Sequence, residues 1–438
     1  MIKAAKSLSD RYKAVPVGER YWWKVVTLCF LGWILMYADR TILNPLMPVL
    51  GEQFGLNNAA LGLVNSVFFL TYAVCQIPFG MLGDRFGRKL VISLGVILFG
   101  ITTFCSGIAT AFGLFMIARA VTGVGEGAYY GPQYALSTEA IPTKKLTLGT
   151  AIINSGMAFG TSGGYILSSI LVLQNGMAWN SPFLIMSIPT VIVGVLFFLL
   201  LKEKIVRPED QAVAKDKELA KEQMAPVAQV KQKVSLRAIF TTRNLICAFI
   251  LCFCSIYANF VIITWLPQFL QVERGFEGAS VGFISSLVPW ASIPGALLFA
   301  RLSDVFKRTK LFIFVLVPIA ILAVFGIAFV TNTTLLIIVL IVYGLTGKLA
   351  IDPIIVAFVT RNAPKGALST TLSAYNFIGM SGSILAPYVT GWIADQLGSM
   401  QVGFYVASAL LLVGLIVFSF AQENRRVSDE PSDAAASS

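Results

Sequence analysis

Two acids and two arginines stand inside otherwise apolar sequence. Asp39 and Arg40 end the run 33–40, and Arg119 and Glu126 lie seven apart in the glycine-rich stretch 117–131. A charge at bilayer depth costs roughly 2.5–3.5 kcal/mol on insertion scales, so such residues face a cavity or pair with one another. A guanidinium stays charged, and its planar fork binds a carboxylate through two hydrogen bonds; it holds an anion but does not release a proton. A carboxylate does exchange protons, in response to burial and to neighbouring charge. Histidine is absent from the chain, so proton chemistry near neutral pH falls to carboxylates. The set reads as a buried site that binds an anion and carries protons. Two ion pairs that merely fix helix packing would use the same residues.

Spacing narrows the arrangement. Positions 119 and 126 are two helical turns apart, about 10.5 Å along one face, so each needs a partner on another element. Asp39 and Arg40 are adjacent, hence about 100° apart around their helix. One arrangement sets Arg40 near Glu126 or the substrate and turns Asp39 towards a neighbouring helix. Tyr37, Tyr129, Tyr130 and Tyr134 surround the charges, each with a ring face and a hydroxyl that suit a polyhydroxy ligand as well as helix packing. Tyr129 and Tyr130 are adjacent, so only one of them is expected to face the cavity. Further along, Lys348 and Asp352 are spaced i,i+4. They are expected either to pair with each other or to give Lys348 to a ligand with two anionic or strongly polar ends. Asn376, with Tyr375 and Ser373 nearby, is the candidate for reading hydroxyls.

The elements that hold these residues are membrane spans. The chain is 56% hydrophobic and 13% charged over 438 residues, against about 25% charged in soluble domains. Apolar runs long enough to cross about 30 Å of hydrocarbon as helices recur at approximately 23–47, 59–82, 90–110, 112–137, 147–173 and 182–201. A second set follows at 244–269, 279–302, 311–330, 335–360, 367–394 and 401–421. Barrel-type alternation does not appear. The expectation is an all-α membrane protein of twelve transmembrane helices in two six-helix halves.

Charge placement sets the topology. The net charge is +11, and all but four of the 33 Lys and Arg lie on the two tails and the even-numbered connections. The exceptions are Arg40, Arg119 and Lys348 within spans and Arg274 on the opposite side. That bias is the positive-inside pattern, which makes both termini cytoplasmic and cytoplasmic-leaflet lipid the counter-charge. Nucleic acid is not an expected partner. The six cysteines fall in spans as small packing residues, and Cys252 and Cys254 lack the partner pair a zinc site requires. No metal is expected, and the polar, basic first 22 residues show no cleavable signal. The sequon at Asn332 lies in a very short loop and reads as a chance match.

The organisation expected is a first bundle over 1–201, a cytoplasmic linker over 202–243 with a surface helix around 211–223, a second bundle over 244–421 and a disordered tail over 422–438. The bundles echo one another. Pro45 and Pro267, and Asn154 and Asn376, stand 222 apart, and Asp84 and Asp304 stand 220 apart. Duplicated halves around a central site describe a rocking transporter.

Gly80-x-Leu82-x-Asp84-Arg85-x-Gly87-Arg88-Lys89 resembles the loop motif of the major facilitator superfamily at every defined position, and the likeness covers nearly the whole chain. There Asp84, Arg85 and Arg88, echoed by Asp304, are expected to pair with helix ends and latch one conformer. More narrowly, Tyr37-x-Asp39-Arg40, Arg119 with Glu126, Cys75-Gln76-Ile77-Pro78 and Trp265-Leu266-Pro267-Gln268-Phe269-Leu270 resemble the anion:cation symporter family, which includes bacterial sugar-acid/proton symporters. The resemblance implies that Asp39 and Glu126 couple protons. It implies a substrate site of Arg40, Arg119, Tyr37, Tyr130, Tyr134, Lys348 and Asn376. Two positions depart from it. Met157 stands where sugar-acid symporters carry a Gln, and no Lys or Arg lies between Arg243 and Arg274, where organophosphate and vesicular glutamate carriers use one.

The expected function is therefore proton-coupled import of an organic anion, a sugar acid or related hydroxy-carboxylate, by a monomer in a bacterial inner membrane. It is driven by the proton gradient with no cofactor. The alternative within the same fold is an exporter or proton/anion antiporter. An enzyme would need a nucleophile–base or metal set that the sequence lacks. A binding protein without transport would show no counterflow of its ligand.

Overall fold

The computed structural model describes residues 15–206, 236–306, 308–364 and 368–422. The surface helix expected around 211–223 lies outside the described residues, as do residues 1–14 and the tail beyond 422. Hydrocarbon leaves backbone polar groups no partner but one another, so the apolar runs become helices. In the first half they are α1 (Tyr21–Ile42), α2 (Asn58–Phe86), α3 (Arg88–Gly107), α4 in two pieces (Phe112–Gly127 and Tyr130–Ala140), α5 (Leu146–Ser168) and α6 (Ser181–Leu200). The second half holds α7 (Arg243–Val272), α8 (Ala279–Phe306), α9 (Thr309–Phe329), α10 in two pieces (Thr333–Thr346 and Lys348–Asn362), α11 (Leu368–Leu397) and α12 (Gln401–Ser419). Helices occupy all twelve expected runs, and eleven of them are long and apolar enough to cross a membrane, the exception among the described residues being the divided α4.

Helices run past the apolar stretches until something stops them. α2 continues through Asp84 to Phe86 and ends at Gly87, whose φ of 111° turns the chain sharply into α3. α4 divides because Pro132 lacks the N–H that would bond the Ala128 carbonyl. α10 divides at Gly347, where the backbone leaves helical geometry and restarts at Lys348.

The halves meet through α2 against α11 and α5 against α8. Gly62 of α2 and Gly391 of α11 have no side chain to spare: a Cβ on either would fall 2.3 Å from a backbone oxygen of the other helix. The Asp395 carboxylate of α11 accepts from the Asn58 and Ala59 amides at 2.9 and 2.7 Å and from Asn58 Nδ2 at 2.9 Å. It thereby caps the N-terminus of α2 from the other half. A proline supplies a second junction. Pro267 frees the Ile263 carbonyl one turn back, and Asn44 Nδ2 and the Tyr165 hydroxyl donate to it at 2.9 and 2.6 Å. These bonds seal the halves together towards the helix ends away from the basic turns.

The opposite face bears the basic turns. Side-chain bonds there run within the second half, from Asn244 to Asn362 and from Lys310 to the Ser419 carbonyl, and within the first. Arg88 pairs with Asp84 at 3.4 Å and with Glu139 of α4. The Arg88 and Lys89 amides donate to the Glu203 carboxylate, both at 2.7 Å, so the chain leaving α6 caps α3. A short parallel pairing of β1 (Val15–Pro16) with β2 (Ile205–Val206) joins the tail to that segment. Of the residues expected to form the latch, Asp84 is 73% exposed and Arg85 lies over Phe86. The Asp304 side chain lies outside the described residues.

Asp395→Ala removes three acceptor contacts from the sealed face, and loss of a helix cap costs about 0.5–2 kcal/mol. The expected result is severalfold faster labelling, by an impermeant maleimide applied from that face, of a cysteine placed at the buried Thr264. Unchanged labelling would show that Asp395 does not hold the seal.

Candidate functional site

The four charges form two crossed ion pairs between α1 and α4. Arg40 Nε donates to Glu126 Oε2 at 2.6 Å, and Arg119 Nη1 donates to Asp39 Oδ2 at 2.8 Å. Arg119 Nη2 also reaches the Asp39 carbonyl at 3.4 Å, and Thr103 of α3 donates to Asp39 Oδ1 at 2.6 Å. Arg119 and Glu126 have no exposure, Asp39 has 1% and Arg40 7%. Charges this deep persist only when paired, and stranding one partner costs about 3–5 kcal/mol.

The glycines of α4 bring these side chains to α1. Gly123 and Gly127 back onto α2, where a Cβ would fall 2.4 Å from the Phe68 carbonyl and 3.1 Å from that of Tyr72. Gly125 backs onto α3, 2.9 Å from the Gly95 carbonyl. With its glycine faces against two neighbours, α4 presents Arg119 and Glu126 to α1. Aromatic rings complete the enclosure. The Arg40 guanidinium lies 4.8 Å from the Tyr37 ring and 4.4 Å from that of Tyr72, and the Arg119 guanidinium 5.0 Å from Phe68, distances at which a cation is attracted to a ring face.

The two pairs differ in access. Arg119 is closed in by Asp39, Phe68 and Phe183, so in this conformer it is a partner of Asp39 and out of reach of a substrate. Arg40 borders a space. A small cavity is lined by Arg40, Asn44 and Asn65, and a larger one, partly open to solvent, lies between the halves. Tyr37, Phe260 and Ile263 line both. The larger cavity takes its polar lining from Thr161, Asn259, Ser292 and Lys348, with Met157 among its apolar walls. The buried Arg40 Nη2 and Glu126 Oε1 have no hydrogen-bond partner among the described residues, which leaves the outer pair with capacity for a ligand.

Other expected residues fall variously. Lys348 Nζ lies 3.5 Å from Asp352 Oδ2, and the Tyr375 hydroxyl donates to Asp352 Oδ1 at 2.5 Å. Tyr130 is 39% exposed and its ring lies tilted against that of Tyr134 at 4.9 Å, and Tyr134 donates to Asn154 at 3.1 Å. Tyr129 is buried and donates to the Cys29 carbonyl at 2.7 Å, so of the adjacent tyrosines Tyr130 is the accessible one. Asn376 is exposed on α11 and lines neither cavity. Sequence reasoning did not single out Thr103, Tyr72 or Asn259. Asn259 carried a usable signal, since it stands 222 positions after Tyr37, the interval of the internal repeat. Thr103 carried none.

Comparison with known proteins is consistent with this geometry. The model of the Major Facilitator Superfamily matches residues 29–387 and, again, residues 248–437. The chain is 25% identical over 431 residues to a probable galactarate/D-glucarate transporter of Bacillus subtilis, covering 92% of each. It is 23% identical over 427 residues to a D-galactonate transporter of Escherichia coli, covering 92% of this chain and 96% of that one. Among solved structures it superposes on a bacterial homolog of the human lysosomal transporter Spinster, inward-facing and unoccupied. That match has a TM-score of 0.72 and 17% identity and covers 92% of this chain and 96% of the other. Twelve helices in paired halves, a buried charge cluster at their junction and a family match over most of the sequence lead to one assignment: this chain is a membrane transporter of the Major Facilitator Superfamily.

Proposed function

We propose that this transporter is a proton-coupled symporter that imports a sugar acid or related hydroxy-carboxylate by alternating access. The observation that carries the reading is the Arg40–Glu126 pair, buried, 2.6 Å apart and at the edge of a cavity between halves sealed at one face. Relatives named for galactarate/D-glucarate and D-galactonate transport support the sugar-acid class.

In the empty site Glu126 neutralises Arg40. An arriving carboxylate competes for the guanidinium, whose Nη2 is free. Glu126 then loses its counter-charge in a buried setting and takes a proton, because an unpaired buried charge is the costlier state. Anion and proton are thus bound together or not at all, and the neutralised site rocks to the other face. Asp39 is the second proton carrier, and Arg119, with Thr103, acts on the substrate through Asp39 rather than by contact. Tyr37, Tyr130 and Tyr134 offer rings and hydroxyls along the path. The excess of Lys and Arg on the face of the described ends argues for cytoplasmic termini in a bacterial inner membrane. The present conformer is then open to the cytoplasm, and Asp84, Arg85, Arg88 and Asp304 would latch the opposite one. The carrier works as a monomer in lipid, with the proton gradient as its only drive.

Glu126→Gln is expected to lower accumulation driven by a pH gradient at least about tenfold in proteoliposomes, roughly the effect of losing 1.4 kcal/mol of coupling, while counterflow exchange of the same acid persists. Undiminished accumulation overturns the assignment. A stability measurement separates the inner pair's roles. Asp39→Ala strands a buried arginine and is expected to destabilise by about 3–5 kcal/mol. The Asp39→Ala/Arg119→Leu double variant should recover a substantial part, read from melting in detergent; a double variant as unstable as the sum of the singles would show that the residues do not act as a pair.

A further inference from the structure

We propose that the acid this carrier selects bears an anionic group at each end, one held by Arg40 of the first half and the other by Lys348 of the second. The inference rests on the transport reading above and narrows its substrate class. Arg40 borders the smaller cavity and Lys348 the larger, and Tyr37, Phe260 and Ile263 line both, so the two spaces are neighbours across one set of side chains. An extended ligand lying past Tyr37 meets a base at either end. Among the described residues no carboxylate lines either space, Glu126 and Asp352 beside them are each paired with one of the two bases, and Thr161, Asn259 and Ser292 offer uncharged partners for hydroxyls in between.

Both bases are free to exchange partners. Arg40, 7% exposed, keeps Nη2 unbonded among the described residues. Lys348 holds Asp352 only at 3.5 Å, while the other Asp352 oxygen accepts from Tyr375 at 2.5 Å, so Asp352 keeps a partner when the ammonium turns away. The repeat adds an independent point. Lys348 stands 222 positions after Glu126, the interval that relates Pro45 to Pro267 and Asn154 to Asn376. Equivalent positions therefore carry an acid in one half and a base in the other. A base in that place offers a charged partner to a second anionic group.

The test uses two pairs of acids that differ only in whether the terminal carbon is a carboxylate or an alcohol: D-glucarate against D-gluconate, and galactarate against D-galactonate. Dissociation constants are measured on the purified full chain by calorimetry. For at least one pair the dianion is expected to bind about tenfold or more tighter, as one charge-assisted contact allows. Lys348→Gln should bring that ratio close to one, and Lys348→Arg, which keeps the charge, should preserve most of it and so control for folding. A wild-type ratio near one in both pairs, or a ratio untouched by Lys348→Gln, overturns the proposal while leaving the sugar-acid reading intact. Binding of none of the four acids overturns both.

Discussion

Charge in hydrocarbon must be neutralised by other charge, and in this protein the requirement is met by crossed pairing between α1 and α4. Asp39 and Arg40 are neighbours that diverge around one helix; Arg119 and Glu126 are two turns apart on one face of another. The only way to satisfy all four is for Asp39 to reach Arg119 and Arg40 to reach Glu126, as they do at 2.8 and 2.6 Å. Much of the first half follows from that crossing. α4 approaches closely enough only because Gly123, Gly125 and Gly127 present bare backbone to α2 and α3. The rings of Tyr37, Tyr72 and Phe68 take up the faces of the two guanidinium groups that no carboxylate covers. Crossing also makes the pairs unequal. One is sealed behind phenyl rings, and the other lies where the halves meet.

The junction between the halves is built to come apart. Its bonds are largely single polar contacts: an aspartate on a helix N-terminus, an asparagine and a tyrosine on a carbonyl freed by Pro267, a glutamine on Asn58 at 2.7 Å. Each such contact is worth about 0.5–1.5 kcal/mol net, because water can replace it. The glycine contacts at Gly62 and Gly391 serve the same end, since flat backbone surfaces slide and part without repacking. Across the same junction the rings of Phe69 and Phe260, and of Phe159 and Trp290, meet edge to face, each pair at 4.7 Å.

What the sequence made legible follows from which signals are local. Span lengths, the halves and the basic face were readable because hydropathy and charge act along a few dozen residues. The Arg40–Glu126 pairing was one of the arrangements that spacing allowed. The enclosure of Arg119 was not readable, because it depends on Phe68 and Phe183 arriving from α2 and α6. Thr103 was invisible for the same reason: a lone threonine in an apolar span gains meaning only from the aspartate 2.6 Å away. Asn376 was chosen by its type and by resemblance, yet it sits on an exposed face of α11 in this conformer. The loop motif at 80–89 was plain, but whether Asp84 and Arg88 bridge the halves depends on which face is open, a property no motif records.

Duplication explains why two jobs can be assigned to different halves. α4 and α10 are both interrupted in mid-membrane, and the interruptions fall within two residues of Glu126 and Lys348. A helix broken there places one side chain at the inner end of a half-helix, facing the junction, in each half. Once the scaffold was doubled, the two positions were free to diverge without disturbing packing, since each lies beside a gap in its own helix. An acid at one and a base at the other give the halves unlike chemistry in like geometry. Under the proposed function, a ligand that touched both would draw the halves together around itself, and the proton site proposed in the first half would respond to a molecule whose other end is read by the second. Coupling of that kind needs no long chain of contacts through the protein; the substrate itself is the link.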